Sequence, residues 1–247
     1  MHPILNHVEH RPWPLPERAW FMHMSWEHLA FLHWRVDAEA LRRQLPKGLE
    51  LDCFDGDAWL GVVPFLMNRV RAHGLPGIPP TNRFLELNVR TYVVCNGRPG
   101  VWFFSLDAAS RLAVMGARAL FHLPYFNAAM TATWGERVRY ESGRTHRGAR
   151  AGEFGAEYEP TGEVFRSESG SLEHWLSERY CLYSADAKGG LWRGEVQHEP
   201  WPLQPAKAVI QKNTLGDLPG VALQGEPDSV LFAKRIDVLG WALEACG

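Results

Sequence analysis

The sequence predicts a mostly β protein in which an antiparallel sheet closes into a barrel or sandwich, with a few helices on the outside. First, strand-like segments outnumber helical ones along the 247 residues. Second, glycine and proline are spread along the chain and mark short turns rather than a linker between domains. Third, this length suffices for one β-rich core. We therefore expect a single domain over 1–247, with residues 1–19 as an irregular arm.

The first third of the chain alternates strands with one helix. Strand-like sequence runs over 20–36, and a short helix over 37–45 begins at Asp37, a favourable N-cap residue. Further strands are expected at 49–54 and 58–67, where Pro64 indicates an edge or a bulge. The glycine- and proline-rich stretch 69–82 is long enough to be a lid or the rim of a pocket.

A hairpin over 83–110 carries the most informative pattern. Successive side chains of a strand point to opposite faces, so Glu86, Asn88 and Arg90 share one face of the strand 84–95. A surface strand would present such a face to water. The next strand, 101–106, is apolar on both faces, however, so we expect the three polar residues to line an interior cavity.

A helix is predicted over 108–121, capped by Asp107 or Ser110 and ended before Pro124. Its helically spaced apolar residues should pack on the sheet; they are Leu112, Met115, Ala119 and Leu120. Arg111 and Arg118 share a stripe that is typical of a solvent-exposed face. Beyond this point we expect one more helix at 171–176 and strand-rich segments at 178–183, 191–198 and 230–239.

Composition and charge narrow the class of protein. The net charge is −2, and the arginines within 137–150 indicate a solvated loop or hairpin tip rather than a nucleic-acid surface. The four cysteines are far apart and form no CxxC pair, which favours reduced thiols. No apolar run is long enough to span a bilayer. We expect a cytoplasmic protein that binds neither nucleic acid nor a membrane and that can form homo-oligomers.

Common catalytic motifs are absent from the sequence. There is no HExxH, no Gly-x-Ser-x-Gly, no phosphate-binding loop and no dinucleotide fingerprint. On a strand, His28 faces away from His23 and His33, so these histidines do not predict a metal site. No cofactor is expected. His122 and His198 sit at element ends, where histidine more often caps or supports structure than catalyses.

Several segments resemble acetoacetate decarboxylase-like proteins. Residues 35–46 with 49–52 resemble their early strand–helix–strand, and Phe84-Leu85-Glu86 matches the place of an active-site glutamate inside a cone-shaped barrel. Residues 117–126 resemble the helix that ends in Pro-Lys-Lys. A closer likeness, to the uncharacterised YqjF-like (DUF2071-type) group, is carried by LNVRTYV, PGVWFFSLDA, ARALFHLPY, ERYCLY and HEPWPL. The resemblance implies a closed barrel, but that group supplies no known activity.

The chain departs from the decarboxylases where their chemistry is performed. Their Schiff-base lysine and its neighbour correspond to Tyr125 and Phe126, which cannot form an imine. A substrate-binding arginine of the family corresponds to Glu27, or to His28 if the alignment slips by one. Lys212 follows an apolar stretch and is the lysine least easily dismissed as a surface residue; the others lie within two residues of glycine, proline or arginine.

We therefore predict a barrel without the lysine imine that binds a small oxo-acid or carbonyl compound, with non-imine acid–base chemistry of a lyase or isomerase type. Glu86 and Tyr125 are the candidate catalytic residues. The candidate ligand-binding residues are Asn88, Arg90, Arg118 and His122. The sequence leaves open a non-catalytic binding protein or an oligomerising structural protein, in which Glu86 and Arg90 form a buried ion pair that fixes strand register.

Overall fold

The computed structural model describes residues 2–223 and 225–246. A 3₁₀-helix at Pro3–Asn6 precedes the first strand, and the described residues contain three α-helices: α1 (Ala38–Arg42), α2 (Arg111–Phe121) and α3 (Leu172–Ser177). The strands, in chain order, are β1 (Met22–Val36), β2 (Glu50–Leu51), β3 (Ala58–Ala72), β4 (Phe84–Cys95), β5 (Arg98–Ala108), β6 (Tyr125–Thr133), β7 (Val138–Arg144), β8 (Glu153–Pro160), β9 (Cys181–Ala185), β10 (Leu191–His198), β11 (Leu203–Asn213), β12 (Ser229–Gly240) and β13 (Glu244–Ala245).

The strand pairings form closed rings. Nine strands close the larger barrel in the order β1–β3–β4–β5–β6–β7–β8–β11–β12, and β12 pairs again with β1. A smaller ring of seven strands, called here the seven-strand barrel, runs β1–β3–β4–β5–β9–β10–β12 and is completed by the β10–β12 pairing. The strands β12, β1, β3, β4 and β5 form a wall that both rings share. The closed β-barrel predicted from the sequence is confirmed.

The barrel is mixed rather than wholly antiparallel. β5 pairs in parallel with both β6 and β9. Between β5 and β6 the chain passes through α2, and a helical crossover of this kind returns the next strand in the same direction. Ser110 begins α2 as its N-cap, with its hydroxyl oxygen 3.4 Å from the backbone N–H of Ala113. Asp107, the other predicted cap, belongs to β5.

The two faces of the shared wall pack into different interiors. On one face, Leu87 and Val89 join a core with Tyr140, Phe154 and Tyr158 of β7 and β8. On the other face, Val63 and Phe65 of β3 join Phe31, Trp201 and Leu231. In β4, the residues that alternate with Leu87 and Val89 therefore point into the seven-strand barrel.

Two local predictions from the sequence are confirmed. Asp37 caps α1, because its Oδ1 accepts a hydrogen bond of 2.6 Å from the backbone N–H of Ala40. The β1–β3 register is irregular between Glu27 and Leu32, opposite Pro64, whose missing N–H favours such a bulge. The backbone of His28 within this irregularity has a positive φ of 52°.

The prediction for the apolar face of α2 is wrong. Leu112, Met115 and Leu120 are 57%, 66% and 61% exposed, and Ala119 is exposed as well. The helix instead buries Val114 and packs Ala117 and Phe121 against β5 and β6. α2 is apolar on two faces, so helical periodicity alone did not identify the inner one.

No helix in the described part of the chain combines the length and the apolar character needed to cross a membrane.

Candidate functional site

Three of the predicted site residues lie on one buried face of β4. Glu86, Asn88 and Arg90 pair with Phe65, Val63 and Gly61 of β3 and point into the seven-strand barrel. They are 2%, 5% and 9% exposed. Because alternate residues of a strand are about 7 Å apart, the three side chains form a polar row along the barrel interior.

Glu86 forms a hydrogen-bonded pair with Tyr125. The Tyr125 hydroxyl donates to Glu86 Oε2 over 2.9 Å, and both side chains are buried. Burial raises the pKa of Glu86 to about 8, and the Tyr125 hydrogen bond offsets only part of this rise. Burial, followed by the proximity of Glu86, also holds the pKa of Tyr125 well above its usual value. The pair is therefore mostly uncharged at neutral pH, and a minor fraction of Glu86 is ionised there.

The position of Tyr125 is set by neighbouring elements. β6 pairs in parallel with β5, which places Tyr125 beside Leu106 and in the same apolar cluster. The exposed Arg118 donates from Nη1 to the backbone carbonyl of Tyr125 over 2.7 Å. Arg118 thus lies outside the polar row and holds the strand that carries Tyr125.

His122 also lies apart from the polar row. It ends α2 in a left-handed conformation with φ of 50°, and its ring is 5.6 Å from the Trp192 ring. In the part of the chain that the structure describes, the side-chain hydrogen bonds of Glu86 involve neither His122 nor Arg118. The structure brings Glu86 and Tyr125 together, and it does not bring His122 to them.

Arg90 is a buried guanidinium without a counter-ion among the described residues. Its Nη2 lies 3.4 Å from the Tyr92 hydroxyl and 3.5 Å from the carbonyl of Leu176 in α3, and its Cζ is 5.1 Å from the Phe31 ring centroid. Within residues 2–223 and 225–246, no carboxylate lies at ion-pairing distance from it. The alternative in which Glu86 and Arg90 form an ion pair is therefore wrong, because Glu86 bonds to Tyr125 instead.

A second buried arginine nearby shows how the fold treats such a charge when it is neutralised. Arg179 donates from Nη1 to Asp52 over 2.6 Å, and its guanidinium packs 4.8 Å from the Tyr92 ring. Two guanidinium groups thus flank Tyr92, and in the described part of the chain Arg179 is the one that has a carboxylate partner. This end of the barrel carries one uncompensated positive charge, which is costly in a buried environment unless an anion binds.

His33 and Tyr92 complete the surroundings of Arg90. The Tyr92 hydroxyl donates to the Leu176 carbonyl over 2.8 Å, so its oxygen must accept from His33 Nε2, which is 2.6 Å away. Burial first, and then the charge of Arg90, lower the pKa of His33 well below its usual value. His33 is therefore neutral with its proton on Nε2. In the sequence, His33 is a candidate only as a metal ligand, and Tyr92 is not among the candidate site residues, although Tyr92 is the next residue on the polar face of β4.

Position 61 of β3, opposite His33 and Arg90, has space only for glycine. A Cβ at position 61 would lie 2.7 Å from His33 Nε2 and 3.4 Å from Arg90 Cγ. The first distance is shorter than any normal contact, and both neighbours are buried in the barrel. The glycine in β3 thus leaves the space that His33 and Arg90 occupy.

Several buried polar atoms along the barrel have no hydrogen-bond partner among the described residues. Asn88 Oδ1 and Arg90 Nε are two of them, and His33 Nδ1 is a third. The indole N–H groups of Trp59 and Trp201 are likewise unpaired, and the Trp201 ring packs 4.9 Å from the Phe31 ring. Three of these atoms are N–H donors, those of Arg90, Trp59 and Trp201. Since buried polar groups are normally paired, a ligand with acceptor oxygens would satisfy them.

Among the described residues, neither a lysine nor a cluster of metal-ligating side chains lies at this site. All five lysines of the chain are exposed, and Lys212 pairs with Glu153 on the β8–β11 surface. His28, considered with His23 and His33 as a metal ligand, stacks on the Trp134 ring at 4.4 Å. Over residues 2–223 and 225–246, no group of three or more His, Cys, Asp or Glu side chains is positioned to hold a metal ion.

The closed mixed barrel defines the class of protein. Acetoacetate decarboxylase from Legionella pneumophila superposes with a TM-score of 0.61, at 12% identity, over 96% of this chain and 93% of that one. An acetoacetate decarboxylase-like enzyme from Sphingomonas wittichii gives 0.62 at 12% identity, over 96% and 97% of the two chains. The enduracididine biosynthesis enzyme MppR, in complex with the condensation product of pyruvate and imidazole 4-carboxaldehyde, gives 0.54 at 18% identity, over 95% and 89%. The chain therefore has the acetoacetate decarboxylase-like fold.

Sequence comparison identifies the family. Residues 23–237 match the profile of DUF2071, a family of uncharacterized conserved proteins. The chain is 44% identical over 230 residues to the uncharacterized protein YqjF of Bacillus subtilis. The aligned region covers 93% of this chain and 94% of YqjF. The protein belongs to the DUF2071 family, as its sequence motifs predicted.

Proposed function

We propose that the seven-strand barrel binds a small oxo-acid, with Arg90 holding the carboxylate and the Glu86–Tyr125 pair acting on the carbonyl group. One observation carries the proposal: Arg90 is buried without a carboxylate partner among the described residues. A bound carboxylate would neutralise this charge and accept hydrogen bonds from the planar guanidinium. Asn88, between Arg90 and Glu86 on β4, is positioned to contact the middle of the ligand.

The Glu86–Tyr125 pair suits proton transfer without covalent catalysis. At pH 7 most of the pair is neutral, and the Tyr125 hydroxyl can donate a hydrogen bond to a carbonyl oxygen as negative charge develops there. The ionised fraction of Glu86 accepts the proton that leaves the carbon beside the carbonyl, and the electron pair of that C–H bond moves to the carbonyl oxygen to form the enolate. Glu86 then returns the proton to carbon, which completes the isomerisation and restores the starting pair.

An isomerisation or hydration fits this arrangement better than loss of CO₂ from the arginine-bound group. Arg90 stabilises a carboxylate in the ground state, which opposes removal of that same carboxylate. A lysine imine is not part of the proposal, because each of the five lysines is exposed. The structure of MppR with pyruvate, a protein of the same fold, supports an oxo-acid as the class of ligand.

Calorimetric titration with pyruvate, acetoacetate and 2-oxoglutarate tests the proposal. We expect at least one of these oxo-acids to bind, and Arg90→Gln to weaken its Kd by roughly tenfold to a hundredfold, the range for a lost charge-assisted hydrogen bond. Arg147→Gln is the matched control, since Arg147 is exposed. Thermal unfolding and near-UV circular dichroism show whether each variant is folded. A folded Arg90→Gln protein with an unchanged Kd, or a wild-type protein that binds none of the three, would overturn the assignment.

Borohydride trapping separates this mechanism from imine chemistry. Wild-type protein incubated with acetoacetate and borohydride should show no added mass, whereas Tyr125→Lys, which places an amine beside Glu86, should gain the mass of a reduced adduct. An adduct on the wild-type protein would contradict the proposed mechanism. Proton exchange at the carbon beside the carbonyl, followed by NMR in D₂O with any oxo-acid that binds, then distinguishes a catalyst from a binding protein.

A further inference from the structure

We infer that the outer face of α2 is an interface at which two copies of this chain associate. The surface consists of the outward side chains of α2 together with Phe21, Leu75 and Ile78, and is called here the α2 patch. The inference is independent of the proposed ligand chemistry.

The outward face of α2 is apolar along its length. At 100° per residue, Leu112, Met115 and Ala119 lie within about 60° of one another, and Gly116 and Leu120 continue the same arc. The opposite side already buries Val114 in the protein. A helix that is apolar on both sides is normally covered on both sides, and one side of α2 is exposed in the single chain.

The apolar surface continues beyond the helix. The Phe21 ring lies 5.9 Å from the ring of Phe121, the last residue of α2. The carbonyl of Phe21 accepts a hydrogen bond of 2.9 Å from the N–H of His73, which begins the β3–β4 loop. That loop carries Leu75 and Ile78, which are 57% and 64% exposed. Six of the eight exposed large hydrophobic residues of the described chain therefore lie on α2, at Phe21 or in the loop that begins beside Phe21.

The area of the α2 patch approaches the requirement of a stable interface. Complete burial of one apolar side chain removes roughly 60 to 120 Å² of surface from water. The six side chains are 39% to 66% exposed, so together they present roughly 200 to 400 Å² to solvent. A standard interface covers about 800 Å² per partner, a little over half of it apolar. Pro76, Pro79, Ala119 and the stems of flanking arginines lie within or beside the patch and supply further area.

The charge pattern matches a protein interface rather than a solvated surface. The segments 69–83 and 108–121 contain five arginines and no Lys, Asp or Glu. Protein interfaces are enriched in arginine, methionine and aromatic residues and depleted in those three. Arg118 is directed to the Tyr125 carbonyl and packs 5.8 Å from the Phe126 ring, so it does not lie on the outward arc.

A second copy is the occupant that this surface fits best. A two-fold interface requires a self-complementary patch, and two-fold dimers are the commonest soluble oligomers. The middle of the outward arc is small: a Cβ added at Gly116 would meet nothing within 4 Å, and Ala119 is next to it on the arc. Two α2 helices can therefore cross closely at Gly116 and Ala119, while Leu112 and Leu120 of each pack beside the crossing.

Analytical ultracentrifugation of the full chain tests the inference. We expect a dimer at micromolar concentration, and at least a hundredfold increase in the dimer dissociation constant for the Leu112→Glu/Met115→Glu double variant. These side chains are exposed within one chain and glutamate is a good helix former, so the folded monomer should persist. Val164→Glu adds one glutamate at a 58% exposed position in irregular backbone outside the patch and serves as the control.

A cross-link locates the interface independently. Ala119→Cys should give a covalent dimer on oxidation with copper phenanthroline, above the background of the wild-type cysteines, because the two helices would cross near this residue. A monomeric wild-type protein would overturn the inference. So would a dimer that survives the double glutamate substitution and does not cross-link through position 119, since its interface would lie elsewhere.

Discussion

Replacing Glu86 by glutamine should remove a large pH dependence of stability. Burial raises the pKa of Glu86 from 4.5 to about 8 in the folded protein. Between these two pKa values the folded state binds one more proton than the unfolded state, so the free energy of unfolding falls as pH rises. The slope is about 1.4 kcal/mol per pH unit. Glu86 therefore costs the wild-type protein about 3 kcal/mol of stability between pH 5 and pH 7.5.

Glutamine keeps the size of the side chain and has no proton to lose in this range, so the Glu86→Gln curve should lack this slope. Urea unfolding followed by the fluorescence of the eleven tryptophans measures both curves at half-unit pH intervals. Glu141→Gln is the control, because Glu141 is exposed and its removal relieves no burial. Parallel curves for the wild type and Glu86→Gln would refute the reasoning, since they would mean that Glu86 ionises alike in the folded and unfolded states.

Three further substitutions test the packing around the site and the helix beside it. Gly61→Ala should destabilise the protein by about 1 to 3 kcal/mol, because the new methyl group meets the buried His33 at 2.7 Å; an unchanged midpoint of urea unfolding would show that the barrel has room there. Tyr92→Phe should also cost about 1 to 3 kcal/mol, since it removes the hydrogen bond to the Leu176 carbonyl and leaves His33 Nε2 unpaired, and equal wild-type stability would contradict that network. Ser110→Ala should cost about 1 kcal/mol through loss of the α2 cap, with a matching shift of Tm as the measure.

Local residue patterns predicted much of the architecture. The alternation over 84–95 identified β4 and the polar face of Glu86, Asn88 and Arg90, and the structure places all three inside the barrel. Asp37 marked the start of α1, and Pro64 marked a bulge. These features follow from backbone geometry within a few residues, which the amino-acid types determine directly.

The same local reasoning failed where the outcome depends on distant elements. α2 has apolar residues on two faces, and only the position of β5 and β6 decides that Val114 faces inward while Met115 faces out. Likewise, Arg118 and His122 belong to the right segment, but the path of the chain after α2 directs neither to Glu86. Helical periodicity records the spacing of apolar residues and not which neighbour covers them.

The sequence by itself determined that the chain is a closed β-barrel of the acetoacetate decarboxylase-like kind and that tyrosine and phenylalanine follow Pro124. Only the tertiary structure decided the partners of the charged groups: Glu86 meets Tyr125 from another strand, and Arg90 meets Tyr92 and α3 rather than a carboxylate. Pairing energies depend on distance and on burial. Residues far apart in the chain come within pairing distance and become buried only when the barrel closes.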